Sequence, residues 1–432
     1  MVRLGQFLTA MMVAGCCALC ASASDAASDT GADGDRLGRL EKMVNDQADL
    51  IASLESKIAE QERTAAASGA KSGANALSIR KPFGMDIAVS TTGVVQGSVN
   101  GEHAAMHHDD DRDGLHDDEG DTADASLTYE LEIQAPVGDR GLAYMMLTGG
   151  VGEGLTDNLD TFAGVNDAIE EDDIRVSELY YQHSFFSERL IGRAGMLDPS
   201  TLFDTNVYAN NSSTQFLGDS LVNSQAIDWP DEESACGLDL SWAPVRTVSL
   251  SLGVYDGDSD WDNITDDAFA IAEVGLHPVF RGHPGNYRMY GWTNNDHQLA
   301  DWRDGDNDLG WGTGLSFDQE FLPGFGAFAR YGYADEHLYA VSDTWSAGLA
   351  LDGRHWGRER DLVGLAVGQN YMSDKYRRME SATFEEQAET FFEIFYRWTV
   401  NDHLALSPDV QCVRNARGNA DLETVTILGM RA

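Results

Sequence analysis

The most chemically suggestive part of the sequence is a polar segment, residues 197–234, which reads LDPSTLFDTNVYANNSSTQFLGDSLVNSQAIDWPDEES. It mixes side chains that both donate and accept hydrogen bonds with carboxylates and aromatic rings. Amides and carboxylates suit the hydroxyl groups of sugars, and aromatic faces suit their C–H surfaces. A solvated, Asn-rich surface loop explains the same composition equally well. The polar residues are Asn206, Asn210, Asn211, Ser212, Ser213, Thr214, Gln215 and Asn223, the carboxylates are Asp198, Asp204 and Asp219, and the rings are Phe203, Tyr208 and Phe216.

A second group of residues could bind a metal ion. The stretch HHDDDRDGLHDDEGD, residues 107–121, places Asp109, Asp111 and Asp113 at the spacing of a calcium-binding loop. However, Gly120 stands where such a loop needs a bidentate Glu. A solvated acidic loop is therefore the favoured interpretation, a calcium site is the alternative, and no other cofactor is expected. The stretches DGDSDWD (256–262) and DGDND (304–308) repeat the acidic pattern.

The charge and hydropathy of the chain exclude several classes of function. The formal net charge of −43 argues against a nucleic-acid partner, whose phosphates need Lys and Arg, and against docking on anionic lipid. Beyond the N-terminus there is no run of eighteen apolar residues that would predict a transmembrane helix. No nucleophile–base–orienter set and no G-x-S-x-G motif occurs at meaningful spacing, so an enzyme is not expected.

The N-terminal region predicts export followed by a short coiled coil. Residues 1–23 have a basic start, an apolar run and an A-x-A cleavage site, typical of a signal peptide, although a lipoprotein box ending at Cys16 is a rival interpretation. A disordered leader is expected over 24–35 and a polar linker over 64–83. Between them, residues 36–63 carry four heptads that predict a coiled coil. Its a positions are Leu37, Val44, Ile51 and Ile58, and its d positions are Leu40, Gln47, Leu54 and Gln61.

From residue 84 to 432 the hydrophobic period changes to two, which predicts strands. The segment Phe391–Val400 is an example, because its even-numbered residues form an apolar face while the opposite face carries Glu393 and Arg397. Most segments have about ten residues, the length that a tilted strand needs to cross a bilayer. Sixteen such segments begin near residues 85, 126, 141, 174, 189, 236, 246, 268, 285, 310, 325, 344, 361, 390, 403 and 421.

The connections between these segments alternate in length. Tight turns such as APVR (243–246) and VNDH (400–403) alternate with long polar stretches, of which 198–234 is the longest. This alternation is typical of an outer-membrane barrel, with the long connections and the short ones on opposite sides of the membrane. Hydrocarbon tolerates no unpaired sheet edge, so the sheet must close, and sixteen strands leave a water-filled lumen. A soluble β-sandwich is the alternative. The predicted fold is therefore all-β, a sixteen-stranded antiparallel transmembrane barrel with an N-terminal periplasmic coiled-coil helix.

Several segments resemble the carbohydrate-selective porins of the OprB family. They are LFDTNVYANNSSTQFLGDSLVNSQAIDWP (202–230), GNYRMYGWTNND (285–296), FARYGYAD (328–335), DLVGLAVGQNYMS (361–373) and ETFFEIFYRWTVNDHLALSPDVQ (389–411), in the same order along the chain. The resemblance implies a barrel in the outer membrane of a Gram-negative bacterium that passes sugars by facilitated diffusion. It also implies that the long third connection narrows the lumen.

The family pattern lines the narrow part of the lumen with charged and aromatic side chains. The matching positions here are Arg193, Asp204, Asn206 and Gln215. Alternation places Arg288, Tyr290 and Trp292 on one face of the ninth strand, and the Arg makes that face lumenal. A membrane-interface girdle is the alternative role for the two aromatic rings. The full set expected to line the pore is Glu178, Arg193, Asp198, Asp204, Asn206, Asn210, Gln215, Glu273, Arg288, Tyr290, Trp292, Glu393 and Arg397.

Two features concern the chemistry of the barrel ends. Cys236 and Cys412 fall nearly opposite each other across the predicted barrel, so they are expected to be free thiols. The chain ends TILGMRA, where outer-membrane barrels usually end in an aromatic residue. Either the chain is truncated or its insertion signal is weaker.

Three functions are compatible with these patterns. The leading hypothesis is a sugar-permeable porin embedded in outer-membrane lipid, with carbohydrate solutes as its partners. It is expected to form a homo-oligomer, taken to be a trimer, that the coiled coil partly holds together. The alternatives are a weakly selective, cation-preferring porin, suggested by the acidic composition, and a surface-binding or adhesive barrel with calcium-associated loops.

Overall fold

The computed structural model describes residues 77–80, 84–99, 123–156, 159–169, 173–231, 234–261, 267–295, 309–380 and 387–432. All of these belong to the compact unit Ala70–Ala432. The predicted signal peptide, leader and coiled coil lie outside the described residues, as do Asp109, Asp111 and Asp113. These assignments therefore remain predictions.

In the described part of the chain, sixteen long strands form the fold, and each begins within four residues of its predicted start. They are β1 (Asp86–Val99), β2 (Ala123–Val137), β3 (Gly141–Val151), β4 (Arg175–Phe185), β5 (Leu190–Leu197), β6 (Ala235–Val245), β7 (Val248–Asp256), β8 (Ala268–Leu276), β9 (His283–Asn294), β10 (Gly310–Leu322), β11 (Phe325–Ala334), β12 (Val341–Asp352), β13 (Leu362–Met372), β14 (Glu389–Asn401), β15 (Leu404–Arg414) and β16 (Val425–Arg431). Two short strands, Leu77–Arg80 and Val279–Phe280, extend the sheet beside β1 and β9.

The sheet closes on itself. Each long strand pairs antiparallel with its neighbours in the chain, and β16 pairs with β1 from Thr426 opposite Val99 to Arg431 opposite Val94. Beyond that ladder, Gly93 and Ala432 exchange two backbone hydrogen bonds of 2.8 and 3.0 Å. Closure pairs the backbone groups that an open sheet would leave exposed at its edges. The predicted sixteen-stranded antiparallel barrel is confirmed.

The two faces of β14 lie as the alternation predicts. Ile394, Trp398 and Val400 are about two-fifths exposed, at 39, 43 and 42%, on the outer surface of the barrel. Glu393 and Arg397 lie on the inner face, where they are buried. An outer face of this kind suits hydrocarbon, because its side chains carry no charge.

The connections alternate as predicted, with the long ones together at one end of the barrel. The long connections also contain the short helices α1 (Asp219–Val222) and α2 (Asp374–Glu380), and the 3-10 turns Pro199–Thr201 and Ala416–Gly418. A further 3-10 turn, Gly353–Trp356, lies at the opposite end. Within the described part of the chain, no helix is long and apolar enough to cross a membrane.

The two larger apolar clusters of the described residues lie in the lumen. In one, Phe216 packs against Phe328 of β11 and Phe395 of β14, with ring centroids 5.7 and 5.0 Å apart. In the other, Trp292 of β9 packs against Phe269 of β8. Phe216, which belongs to the third long connection, is thus buried inside the barrel and helps to fix that connection in place. The Cys236 and Cys412 thiols are both free, as predicted.

Candidate functional site

The third long connection, residues 198–234 (hereafter the third loop), folds into the barrel. Inward-facing side chains from well-separated strands hold its backbone. On β14, the Glu393 carboxylate accepts hydrogen bonds from the backbone N–H groups of Leu217 at 2.7 Å and Gly218 at 2.9 Å. On β8, Glu273 accepts one from the N–H of Asp204 at 3.1 Å. Because the lumen wall supplies their partners, these backbone N–H groups are buried without being left unpaired.

The deepest attachment is an ion pair between Asp204 of the third loop and Arg330 of β11. The Arg330 Nε lies 3.3 Å from Asp204 Oδ2, and the two side chains are 2% and 0% exposed. Arg330 also donates to the backbone carbonyls of Leu221 at 2.7 Å and Asp204 at 2.8 Å. Burial raises the pKa of the Asp204 carboxyl above its ordinary value, against the opposing effect of the Arg330 charge. Arg330 therefore connects β11 to the third loop at one carboxylate and two backbone carbonyls.

A third attachment comes from β16 and β10. The buried guanidinium of Arg431 donates to the carbonyl of Ser212. On the far side of the loop, the Asn206 amide donates to the Ser316 hydroxyl at 3.2 Å. The third loop is therefore tied to strands around much of the barrel circumference.

The second long connection, residues 152–174, also enters the lumen. Gln96 of β1 and Gln411 of β15 both donate to the carbonyl of Val165, at 2.8 and 2.9 Å. Glu389 of β14 accepts from the N–H of Phe162 at 3.0 Å. Sequence reasoning missed this segment, although its buried apolar residues Leu159, Ala163, Val165 and Ala168 are an unusual pattern for a solvated loop and were an available signal.

The two inward-folded connections leave a polar cavity of about 310 Å³ between them and the wall. Its walls are mainly amide, hydroxyl and carboxylate groups, with Trp229 as the aromatic ring. Such groups can exchange hydrogen bonds with a solute that carries hydroxyls. The lining residues are Glu130, Asp167, Ile169, Asp198, Ser200, Asn210, Asn211, Ser212, Ser213, Asp219, Val222, Asn223, Ser224, Gln225, Ile227 and Trp229.

Among the residues predicted to line the pore, Asp198 and Asn210 border this cavity. Asp198 also caps the 3-10 turn, accepting from the Ser200 N–H at 2.7 Å. Gln215 is engaged within the loop, since its amide donates to the carbonyl of Val207 at 2.7 Å and its oxygen accepts from the Asn210 N–H at 2.8 Å. Asp204, Asn206, Glu273 and Glu393 hold the loop as described above.

Tyr290 and Trp292 lie on the inner face of β9, but the third loop covers them. They are 1% and 2% exposed, and the Trp292 indole donates to the carbonyl of Ala226 at 3.0 Å. The girdle alternative is therefore wrong, because neither ring faces lipid. The expectation that the two rings line the pore also needs correction, since covered rings present no surface to lumen water.

The remaining predicted residues lie in the wall. Arg288 is 2.9 Å from Asp318, and Arg397 donates to the Thr399 hydroxyl at 3.3 Å. Glu178 is 5% exposed on the inner face of β4. Arg288 and Arg397 therefore contact neighbouring groups of the wall.

Arg193 belongs to a cluster that sequence reasoning did not assemble. Its guanidinium pairs with Asp239 of β6 at 2.8 Å and lies 5.5 Å from the centre of the Tyr180 ring. Tyr180 in turn stacks on Tyr144, with centroids 4.7 Å apart and ring planes at 16°. The cluster joins neighbouring strands from β3 to β6, which only strand register could have revealed.

A closed barrel of sixteen antiparallel strands, with long connections folded into a polar lumen, defines a porin-type channel. The family model of the carbohydrate-selective porins, OprB family, matches residues 119–432. The chain belongs to this family. The fold and the family indicate a channel rather than an enzyme, in the outer membrane of a Gram-negative bacterium.

The high-pH structure of OprB from Pseudomonas putida superposes with a TM-score of 0.67 at 16% identity, over 80% of this chain and 93% of that one. That likeness concerns the fold. An uncharacterized protein of Aquifex aeolicus (strain VF5) is 33% identical over 87 residues, which are 20% of this chain. The match spans 28% of that relative's length.

Proposed function

We propose that the protein passes mono- or small oligosaccharides across the outer membrane by facilitated diffusion, with the third loop as the constriction. The observation that carries this proposal is the polar cavity of about 310 Å³ beside a loop that the wall holds inside the barrel. Family membership supports the same substrate class. A homotrimer remains the expected assembly, and native mass spectrometry of the detergent-extracted protein would test it.

The lining suits passage better than tight capture. Amide and hydroxyl groups of Asn211, Ser213 and Asn223 can exchange hydrogen bonds between water and sugar hydroxyls as a solute moves. Conduction requires binding that is favourable enough for entry and weak enough for release. A cavity with one aromatic ring and many polar groups meets that requirement.

A second candidate is a cation-preferring channel with little sugar selectivity. Four carboxylates, those of Glu130, Asp167, Asp198 and Asp219, border the cavity. Carboxylates in a confined lumen concentrate cations and repel anions. Neutral sugars are unaffected by this charge, so both activities are compatible with the same lining, whereas anionic solutes are disfavoured.

Planar-bilayer recording distinguishes the two candidates. If the protein is a sugar channel, we expect glucose or maltose to reduce the ionic current through single channels in a saturable way. If neither sugar changes the current while the reversal potential shows strong preference for K⁺ over Cl⁻, the cation channel replaces the sugar channel. Liposome swelling with neutral sugars provides an independent measure of sugar flux.

A further inference from the structure

At the end of β7 three aspartates converge. Asp256, Asp258 and Asp260 occupy alternate positions in the stretch DGDSD, where β7 passes into the connection to β8. Each offers one carboxylate oxygen, and these oxygens all lie within 4.8 Å of one another. This stretch is separate from residues 107–121, whose spacing resembles that of a calcium-binding loop.

Asp256 gives the cluster its unusual feature. Its side chain is 0% exposed, although it lies at the end of a strand that leads into a polar connection. Its Oδ2 accepts a hydrogen bond from the Trp261 N–H at 2.8 Å. Its Oδ1 is buried, and no described residue donates a hydrogen bond to it.

A buried carboxylate oxygen with no donor is costly, and two further carboxylates nearby add repulsion. Among the described residues, no Lys or Arg forms an ion pair with Asp256. A cation among the three carboxylates would remove both costs.

We propose that Asp256, Asp258 and Asp260 bind a divalent cation, with Ca²⁺ as the preferred ion. Ca²⁺ holds oxygen ligands at roughly 2.3–2.6 Å, so two ligands of one ion can lie up to about 5 Å apart. The observed spread of up to 4.8 Å fits that limit. Mg²⁺, with bonds of about 2.0–2.1 Å, would need the oxygens to lie closer together and in near-octahedral geometry. Water molecules complete the coordination, as is usual for partly exposed Ca²⁺ sites.

The site would couple the β7–β8 connection to the third loop. The carbonyl of Gly257, between two of the ligands, accepts a hydrogen bond from the N–H of Asp231 at 3.1 Å. Asp231 lies near the end of the third loop, just before β6. Bound Ca²⁺ would therefore hold the start of the β7–β8 connection against the last residues of the third loop. It would also reduce the negative charge at that end of the pore.

Terbium luminescence tests the proposal on the full-length protein in detergent after EDTA treatment. Tb³⁺ substitutes for Ca²⁺, and the adjacent Trp261 can sensitise its emission. We expect saturable Tb³⁺ emission that Ca²⁺ displaces at much lower concentration than Mg²⁺. Asp256→Asn and the more exposed Asp260→Asn should each weaken Ca²⁺ competition at least about tenfold, since even indirect ligand support contributes roughly that much. Heat-modifiable migration on gels would verify that each variant folds.

A charge-matched control separates a site from a diffuse acidic surface. The triple change of Asp304, Asp306 and Asp308 to Asn removes three charges from another acidic stretch and should leave the affinity unchanged, whereas the triple change of Asp256, Asp258 and Asp260 to Asn should abolish the competed signal. Equal losses in the two triple variants would overturn the proposal, and so would unchanged affinity in folded Asp260→Asn protein.

Discussion

The Glu393 carboxylate of β14 lies 2.7 Å from the backbone nitrogen of Leu217 and joins the barrel wall to the third loop. Glu393 is 1% exposed, so this hydrogen bond is made away from bulk water. A second N–H, that of Gly218, donates to the same carboxylate at 2.9 Å. An inward-facing charge that looks like part of a pore lining in the sequence is therefore an anchor for the third loop.

Removing that anchor should widen the channel. Glu393→Ala deletes the acceptor for two buried N–H groups, each costing about 1–3 kcal/mol when left unpaired, so the loop should lose its fixed position. We expect larger and noisier single-channel currents, together with weaker block by sugar, in planar bilayers. Glu359→Ala, in an exposed turn, serves as the control and should leave both the single-channel current and the sugar block unchanged. Normal currents in Glu393→Ala would show that the loop does not depend on this contact.

The covered indole of Trp292 should matter for stability rather than for direct sugar contact. Trp292→Ala removes packing against Phe269 and the hydrogen bond to Ala226, at a cost of roughly 3–5 kcal/mol. We expect a lower temperature of heat-induced unfolding on gels and by circular dichroism. Trp292→Phe keeps much of the packing and should lie between the wild type and the Ala variant. Weaker sugar block with an unchanged unfolding temperature would instead point to an exposed ring.

Charges beside the cavity should control ion preference. Replacing Glu130 by Gln and Asp167 by Asn removes two of the four carboxylates at its border while retaining hydrogen-bonding groups. We expect the K⁺ over Cl⁻ permeability ratio to fall by roughly a factor of two at physiological ionic strength, because nearby fixed charge sets the local ion concentration. Reversal potentials in a salt gradient measure this ratio. Sugar block should change less than ion preference, and the reverse order would contradict the assigned roles.

Asp361, in the turn before β13, should make stability depend on pH. Burial alone would raise the pKa of its carboxyl, but hydrogen bonds from Arg358, Tyr396 and the Thr399 N–H outweigh that effect and hold the pKa below its ordinary value. Because the pKa is lower in the folded state, the ionised carboxylate stabilises the fold at pH values above its unfolded-state pKa, near 3.9. That stabilisation is lost as the pH falls through the folded-state pKa. We expect the stability advantage of wild type over Asp361→Asn to shrink between about pH 5 and pH 2 in thermal unfolding. A constant difference across that range would contradict the prediction.

The strand pattern could be predicted because it is local. Each barrel strand must present one face to lipid and the other to the lumen, so alternation over about ten residues identifies it without knowledge of its neighbours. The segment Phe391–Val400 illustrates this, since both of its faces lie as the alternation indicates. The number of strands and the alternating connection lengths then require closure.

The site could be predicted only in part. Polar residues of 198–234 indicated a functional loop, and Asp198 and Asn210 do border the cavity. The inward orientation of the Trp292 side chain was also predictable, but its burial beneath the third loop was not. Contacts such as Arg330 with Asp204, 126 residues apart, depend on where a long connection folds, and period-two patterning contains no information about that.

The sequence by itself therefore determined the barrel, its strand count, the orientation of its faces and the porin family. The tertiary structure alone decided which inward-facing residues meet water. Glu393, Tyr290 and Trp292 have the residue types of a pore lining, yet the third loop buries them, because its backbone N–H groups and apolar side chains need partners that the wall provides. The polar cavity is lined instead mostly by residues of the two inward-folded connections.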